Sequence, residues 1–414
     1  MLPPTFLFGT ATSATQIEGH CDTSDWHAFA EQPGRVKHGD TPDVACDSWH
    51  RWREDVALQK SFGMGAYRLG VEWARIEPRP GVIERPALDE YRAMLGGLRD
   101  AGIEPMVTLH HFTLPQWLAE AGGVLSPDFP ARLAAFARVV VGTLGDLCRL
   151  WITVNEPNVL AAHSYLLGLW PPAMKSPAAA WRAQRRLLQA HEAAYRALKE
   201  ARGDASVGVA HHLRAVEPER PGSLRDRAAT AVFRRVFNDA FAAAACKAGT
   251  QDFFGINYYS RDVVRFSTRH AGELFVRRGV PPGAEVSDLG WEIYPEGLGR
   301  VVRTWARRSG LPVYITENGI ADRRDDRRGP FLERHLAQLE QAVADGVDVR
   351  GYFHWSLLDN FEWAEGYEPR FGLVEVDFAT GERTPRPSAR VYARIARERS
   401  ALGNHEAQPR QRRG

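Results

Sequence analysis

Two short segments of this sequence each deliver a single glutamate as an apolar run ends: Thr153-Val154-Asn155-Glu156-Pro157 and Ile315-Thr316-Glu317-Asn318-Gly319. Pro157 biases Glu156 towards an extended backbone, and Asn318-Gly319 is a tight-turn dipeptide. Both carboxylates therefore stand where a strand gives way to a loop. Two carboxylates facing each other across a pocket can split a glycosidic bond, one as proton donor and the other as nucleophile or base. Polar groups able to read sugar hydroxyls fall at similar positions: Gln16, His111 (with His110 beside it), Asn155, Asn257, Tyr259 and Glu362. Twelve tryptophans supply stacking surface. Trp355, Trp363, Trp291 and Trp117 are the candidates, since pyranose C–H faces pack on indole rings. Arg68, inside the apolar run Ala66–Val71, is placed to hold a carboxylate ionised.

These residues need a scaffold that gathers distant strand ends. Strand-like apolar runs recur at Phe6–Ala11, Ala66–Trp73, Pro105–His110, Leu150–Asn155, Ser206–Ala210, Phe253–Tyr258, Pro312–Thr316 and Arg350–Trp355. Several are almost continuously apolar, as parallel strands buried on both faces require. Helical periodicity fills the gaps: Leu133, Phe136, Val140 and Leu144; Leu188, His191, Tyr195 and Leu198; Leu298, Val302 and Trp305; Leu332, Leu336, Leu339 and Val343. Eight strands alternating with helices predict an α/β fold, a single (β/α)8 TIM barrel. A doubly wound open sheet has the same alternation, but no GxGxxG follows the first strand to give it a dinucleotide-binding purpose. In the barrel, the C-terminal strand ends share one face, and both glutamates fall there.

Composition narrows the function. With 53 Lys+Arg against 51 Asp+Glu in 414 residues, the net charge is +2, which argues against nucleic-acid or anionic-membrane binding. The longest uncharged run, residues 157–174, is broken by prolines, His163 and Ser164 and is not a membrane span. The first residues, MLPPTFLFGTATSA, lack a basic and then apolar leader pattern, and Cys21, Cys46, Cys148 and Cys246 form no CxxC pair. Free thiols in a cytoplasmic protein without a zinc site are expected. One catalytic domain over 1–399 is the simplest organisation, with 400–414 read as a disordered tail and Arg323–Arg328 as a solvated charged loop.

The motifs in order carry a resemblance. FLFGTATSATQIEG, ACDSWHRWREDVALQKSFGMGAYRLGVEWARIEP, TVNEPN, INYYS, YITENG and GYFHWSLLDNFEWAEGYEPRFGLVEVDF run from about Phe6 to about Tyr392. The chain so resembles the β-glucosidases and β-glycosidases of glycoside hydrolase family 1. That resemblance implies Glu156 as acid/base and Glu317 as nucleophile. It implies Gln16, His111, Asn155, Tyr259, Trp355, Glu362 and Trp363 around the terminal sugar, and Asn257 hydrogen-bonding near the nucleophile. Arg68 and Tyr259 would tune the nucleophile, and Trp291 would lie on the aglycone side. Three departures concern the aglycone entrance: Phe112 follows His111 where the family usually has Trp, the stretches Asn158–Phe253 and Arg323–Pro330 are trimmed, and the loop Asp22–Trp26 is short.

The expected reaction is a two-step displacement needing no metal or cofactor, with the carboxyls about 5–5.5 Å apart. The charge of Glu317 should raise the Glu156 carboxyl, which then acidifies once Glu317 becomes an ester. The expected substrates are small β-glycosides or oligosaccharides, with galactosides and fucosides possible beside glucosides. A 6-phospho-β-glycosidase is disfavoured by Glu362, which would repel a phosphate, and by the lack of a Lys in the segment Glu362–Glu368. A non-catalytic sugar-binding barrel would be expected to lose one of the two glutamates. An enzyme that chiefly transfers glycosyl groups would use the same pair.

Overall fold

The computed structural model describes residues 2–406, with the side chains of 271–273 and 400–406 outside the description. Eight parallel strands close into a barrel: β1 (Leu7–Ala11), β2 (Ala66–Gly70), β3 (Glu104–His110), β4 (Leu150–Asn155), β5 (Ser206–His212), β6 (Phe253–Asn257), β7 (Val313–Gly319) and β8 (Val349–Trp355). Each pairs with its neighbours in sequence, and β8 returns to β1 with Leu7 opposite Gly351 and Ala11 opposite Trp355. All eight predicted strands are present. Three have C-terminal ends displaced by two residues or more: β2 stops at Gly70, short of Trp73, while β5 runs on to His212 and β7 runs through Glu317 to Gly319.

The barrel interior is filled by Ala11, Ala66, Met106, Ile152, Ala210, Phe253, Tyr314 and Phe353. Phe253 and Tyr314 meet edge to face at 5.1 Å, and a Cβ on Gly208 would lie 2.5 Å from the Phe253 ring. Bulky rings thus take the space that glycine vacates, and the barrel's centre is packed, not a pore. A larger core joins the outer strand faces to the helices, among them Phe129–Leu144, Pro177–Ala201, Pro295–Ser309 and Arg328–Ala344. Each contains one of the predicted periodic patterns. Pro177–Ala201 starts where Ser176 accepts from the Ala179 N–H and Pro177 fixes the first turn.

Two expectations outside the site change. Arg328 is not solvated: it is fully buried, paired with Asp325 and donating to the carbonyls of Asp322 and Arg370. Aspartates from its own segment neutralise it, which is what lets a mixed-charge run fold inward. The last helix, Pro387–Glu406, carries on past Ser400, and residues 407–414 lie outside the described residues. No helix among the described residues is long and apolar enough to cross a membrane.

Candidate active site

At the C-terminal end of the barrel lies a cavity of about 980 Å³. Gln16, His111, Asn155, Glu156, Tyr259, Trp291, Glu317, Trp355, Glu362 and Trp363 all line it, as the sequence predicts. Asn257 and Arg68 stand behind that wall, fully buried.

Glu317 is held at both oxygens. Arg68 Nη1 donates to Oε1, and the Tyr259 hydroxyl donates to Oε2 at 2.6 Å. Its backbone carbonyl accepts from the Tyr258 N–H, and Asn318 anchors the following turn through the Tyr258 carbonyl at 2.6 Å. Burial pushes the Glu317 carboxyl up to about 7, with the Glu156 charge adding and Arg68 and Tyr259 opposing. Tyr259 itself is pushed far above the usual phenol value by burial and then by Glu317, so it remains a donor.

Glu156 departs from the expected extended backbone: its φ is 43° and ψ 59°, left-handed. Its N–H donates to the Ala210 carbonyl at 2.8 Å, while its own carbonyl accepts from Val159 and Leu160, opening the helix Pro157–Leu160. Proline disfavours the right-handed region before it, and these bonds select the left-handed alternative. Oε1 accepts from Asn257 Nδ2 at 2.9 Å and faces His212 Nδ1 at 2.9 Å. Asn257 therefore touches the Glu156 side of the pair, not the Glu317 side as expected, and is screened from the cavity. Burial raises the Glu156 carboxyl, but a charged His212 together with the His212 and Asn257 hydrogen bonds would outweigh it and hold the group below the ordinary range. Each carboxyl acts on the other, so their titration belongs to the pair.

Arg68 organises more than Glu317. It donates to Asn155 Oδ1 at 2.7 Å and to Thr108 Oγ1 at 3.1 Å. Asn155 Oδ1 also accepts from Asn257, whose own oxygen accepts from Thr316 at 2.6 Å. The Asn155 amide is therefore oriented with Nδ2 towards His111 Nε2, 3.1 Å away. Burial, then the Arg68 charge, keeps His111 neutral. With Nε2 accepting, the ring proton sits on Nδ1, which has no protein partner. The ring lies nearly parallel to Trp355 (6.0 Å, 21°) and Trp363 (6.1 Å, 22°). Gln16 spends both amide hydrogens on Asn360 and Phe361. Glu362 accepts from Trp355 Nε1 at 3.2 Å, and burial pushes its carboxyl up to about 8.

Phe112 occupies the outer wall against Trp170 (4.9 Å) and Trp363 (5.4 Å). Two residues singled out in the sequence lie elsewhere. Trp117 gives its indole N–H to the Glu77 carbonyl at 2.8 Å and packs on the core. His110 is buried against Phe129 with neither ring nitrogen paired. Strand alternation sends it to the opposite face from His111. The sequence reading missed His212, Trp170 and Phe371, which line the cavity. Among the described residues, one group has metal-ligand spacing: His20, Asp47 and His50, with donor atoms within 4.8 Å of one another, outside the cavity.

A (β/α)8 barrel with two buried glutamates lining one aromatic-walled cavity at its C-terminal end defines the class as glycoside hydrolase. The model of glycosyl hydrolase family 1 matches residues 1–250 and 243–401, and the chain belongs to that family. It is 36% identical to β-glucosidase A of Thermotoga maritima over 95% of this chain and 97% of that protein. It is 35% identical to a 1,4-β-D-glucan glucohydrolase of Thermotoga neapolitana, again over 95% and 97%. The T. maritima β-glucosidase bound to glucoimidazole superposes with a TM-score of 0.90 at 34% identity, over 96% of this chain and 98% of that one.

Proposed function

We propose that the chain is a retaining β-glucosidase in which Glu317 attacks the anomeric carbon and Glu156 protonates the departing oxygen. The observation that carries this assignment is the asymmetry of the pair: both oxygens of Glu317 are clamped by donors that favour its ionised form, while Glu156 offers Oε2 without a protein partner among the described residues. A nucleophile must stay charged until it reacts; an acid must keep one oxygen free for the proton it delivers. In the second step water attacks the glycosyl ester, and Glu156, no longer beside a charged Glu317, takes the water's proton.

His111, Gln16 and Glu362 supply hydroxyl partners, and Trp355 and Trp363 the stacking faces. Sugar hydroxyls donating to Glu362 favour its ionised form, and that charge disfavours a 6-phosphate. The two Glu362 oxygens can serve either configuration at the sugar's fourth carbon, so the reading extends to β-galactosides, and to β-fucosides with one contact fewer. The similarity to a glucoimidazole-binding relative supports small glycoside-like ligands. Beyond the sugar site the wall is mostly apolar, with Phe112, Leu166, Trp170, Trp181, Val236 and Phe237, and this favours aryl or alkyl leaving groups over cello-oligosaccharides. A cytoplasmic location fits the four free thiols.

The test is turnover of an aryl β-glucoside by wild type and by Glu317→Gly, with and without azide. The variant should be nearly inactive and azide should restore turnover, yielding an α-glucosyl azide. A product of β configuration, or a variant of unchanged rate, would remove Glu317 from the nucleophile's role.

A further inference from the structure

Behind the acid/base candidate stands a chain of side chains that the two-carboxylate account does not use. His212, at the end of β5, faces Glu156 Oε1 through Nδ1 at 2.9 Å. On the far side of the same ring, Arg214 Nε points at His212 Nε2 from 3.0 Å. An arginine Nε–H only donates, so His212 Nε2 must offer its lone pair. This network assigns the tautomer: the ring is neutral, with its proton on Nδ1 and directed at Glu156. Arg214 is held in turn by Asp262, at 3.2 and 3.4 Å. The imidazole is kept in plane by Tyr259, nearly parallel at 6.1 Å, and by the edge of Phe237 at 6.0 Å.

We propose that Asp262, Arg214 and His212 form a positioning relay that fixes Oε1 of Glu156 as a permanent hydrogen-bond acceptor, confining the acid proton to Oε2, where the leaving-group oxygen arrives. His212 is a positioning residue: it acts through Glu156 and needs no contact with substrate. Two donors, His212 Nδ1–H and Asn257 Nδ2–H, converge on Oε1, so a proton there would meet both of them. The relay also keeps a cation away from Glu156. A doubly protonated imidazole would bring a hydrogen on Nε2 against the Arg214 donor, so the ring cannot supply the charge that would strip Glu156 of its proton. What is left to act on Glu156 besides two neutral hydrogen bonds is burial and the charge of Glu317, which retain the proton, against the Arg68 charge, which opposes them.

The inference rests on Glu156 being the acid/base, and the experiment separates the two claims. The readout is kcat/KM for an alkyl β-glucoside, whose alkoxide needs a proton to leave, against 2,4-dinitrophenyl β-glucoside, whose phenolate leaves unaided. His212→Ala should lose on the order of 10- to 100-fold on the alkyl substrate, at the lower end of general-acid effects, and less than about threefold on the dinitrophenyl one. His212→Asn should recover most of that loss, because the Asn Nδ2 lies at the same bonded distance from Cβ as the His Nδ1. Arg214→Met, which frees the tautomer, should fall between them with the same substrate bias. Equal losses on both substrates would reduce His212 to scaffolding, and no loss on either would leave it without a role; both overturn the relay. Glu156→Ala, run in parallel, should show the same bias more strongly. If it shows none, the assignment of Glu156 itself fails, whatever His212 does.

Discussion

Replacing Arg68 by Met tests the electrostatic design of the site. Arg68 is fully buried and provides the only formal positive charge hydrogen-bonded to Glu317 among the described residues. Methionine keeps most of the stem and removes the charge. A hydrogen bond between charged partners contributes roughly 1.5–3 kcal/mol, and 1.36 kcal/mol is one pKa unit, so its loss should raise the nucleophile by about two units. Starting from about 7, the carboxyl is then half ionised only near pH 9. At pH 7 the ionised fraction falls from about one half to about one per cent, a loss on the order of 50-fold in kcat/KM. The sign is fixed by the chemistry: the nucleophile must be charged, so raising it shifts the acid limb of the kcat/KM–pH profile upward, and activity returns as pH rises. The assay is kcat/KM for an aryl β-glucoside from pH 5 to 10. An acid limb that stays in place, or a deficit constant across pH, would refute the argument. The second result would indicate that Arg68 acts through Asn155 and His111 geometry alone.

Other consequences can be measured independently. Burial depresses His110 to about 4, so it stays neutral in the fold while the unfolded chain binds its proton near pH 6.5. Its contribution, on the order of 3 kcal/mol, is present above pH 6.5 and lost as pH falls to 4; His110→Leu should flatten the fall in melting temperature across that window. Trp181 is 60% exposed at the cavity's outer wall with Arg185 over its ring, so Trp181→Ala should raise KM for long-chain alkyl glucosides several-fold and leave methyl glucoside unchanged. For wild type, kcat/KM should be higher on octyl glucoside than on cellotriose, and the reverse order would count against the apolar outer wall as a leaving-group site.

The fold was legible because both of its signals are local. Buried parallel strands read as apolar runs, and the helices between them read as 3.6-residue stripes. The two glutamates were legible for the same reason, since each follows such a run. What escaped the sequence was set by contacts across the barrel. β5 reads as ending at Ala210 because His211 and His212 are polar, yet the strand continues, and His212 is where it meets Glu156. Had the strand-end criterion been applied two residues later, it would have found His212. Asn257 looks like any polar residue at a strand end, and only the register Glu317 opposite Asn257 shows it behind the pair with its amide turned to Glu156. Trp117 and Trp170 are indistinguishable by type. One spends its N–H on a backbone carbonyl outside the cavity, and the other stacks with His163 at 4.5 Å on its wall.

A deeper reason for the gap lies in the backbone at the strand ends. In a regular strand successive side chains point to opposite faces, so of two neighbours only one can reach the barrel mouth. This cavity breaks that rule at two strand ends, where His111 and Phe112, and Asn155 and Glu156, are consecutive and both members of each pair line it; Glu362 and Trp363, in the loop after β8, make a third such pair. In every pair the second residue has a positive φ, at 72°, 43° and 53°. A left-handed residue turns the chain so that its side chain swings to the same side as its predecessor's. None of the three is glycine, so each costs about 1–3 kcal/mol of backbone strain that the surrounding hydrogen bonds must offset. On β7 a register shift between Ile315 and Glu317 reorients the strand end that carries the second carboxylate. The density of functional groups in the cavity is therefore made by local violations of strand geometry. A reading based on alternation fails where the chemistry is concentrated, because those positions are the ones at which alternation has been given up.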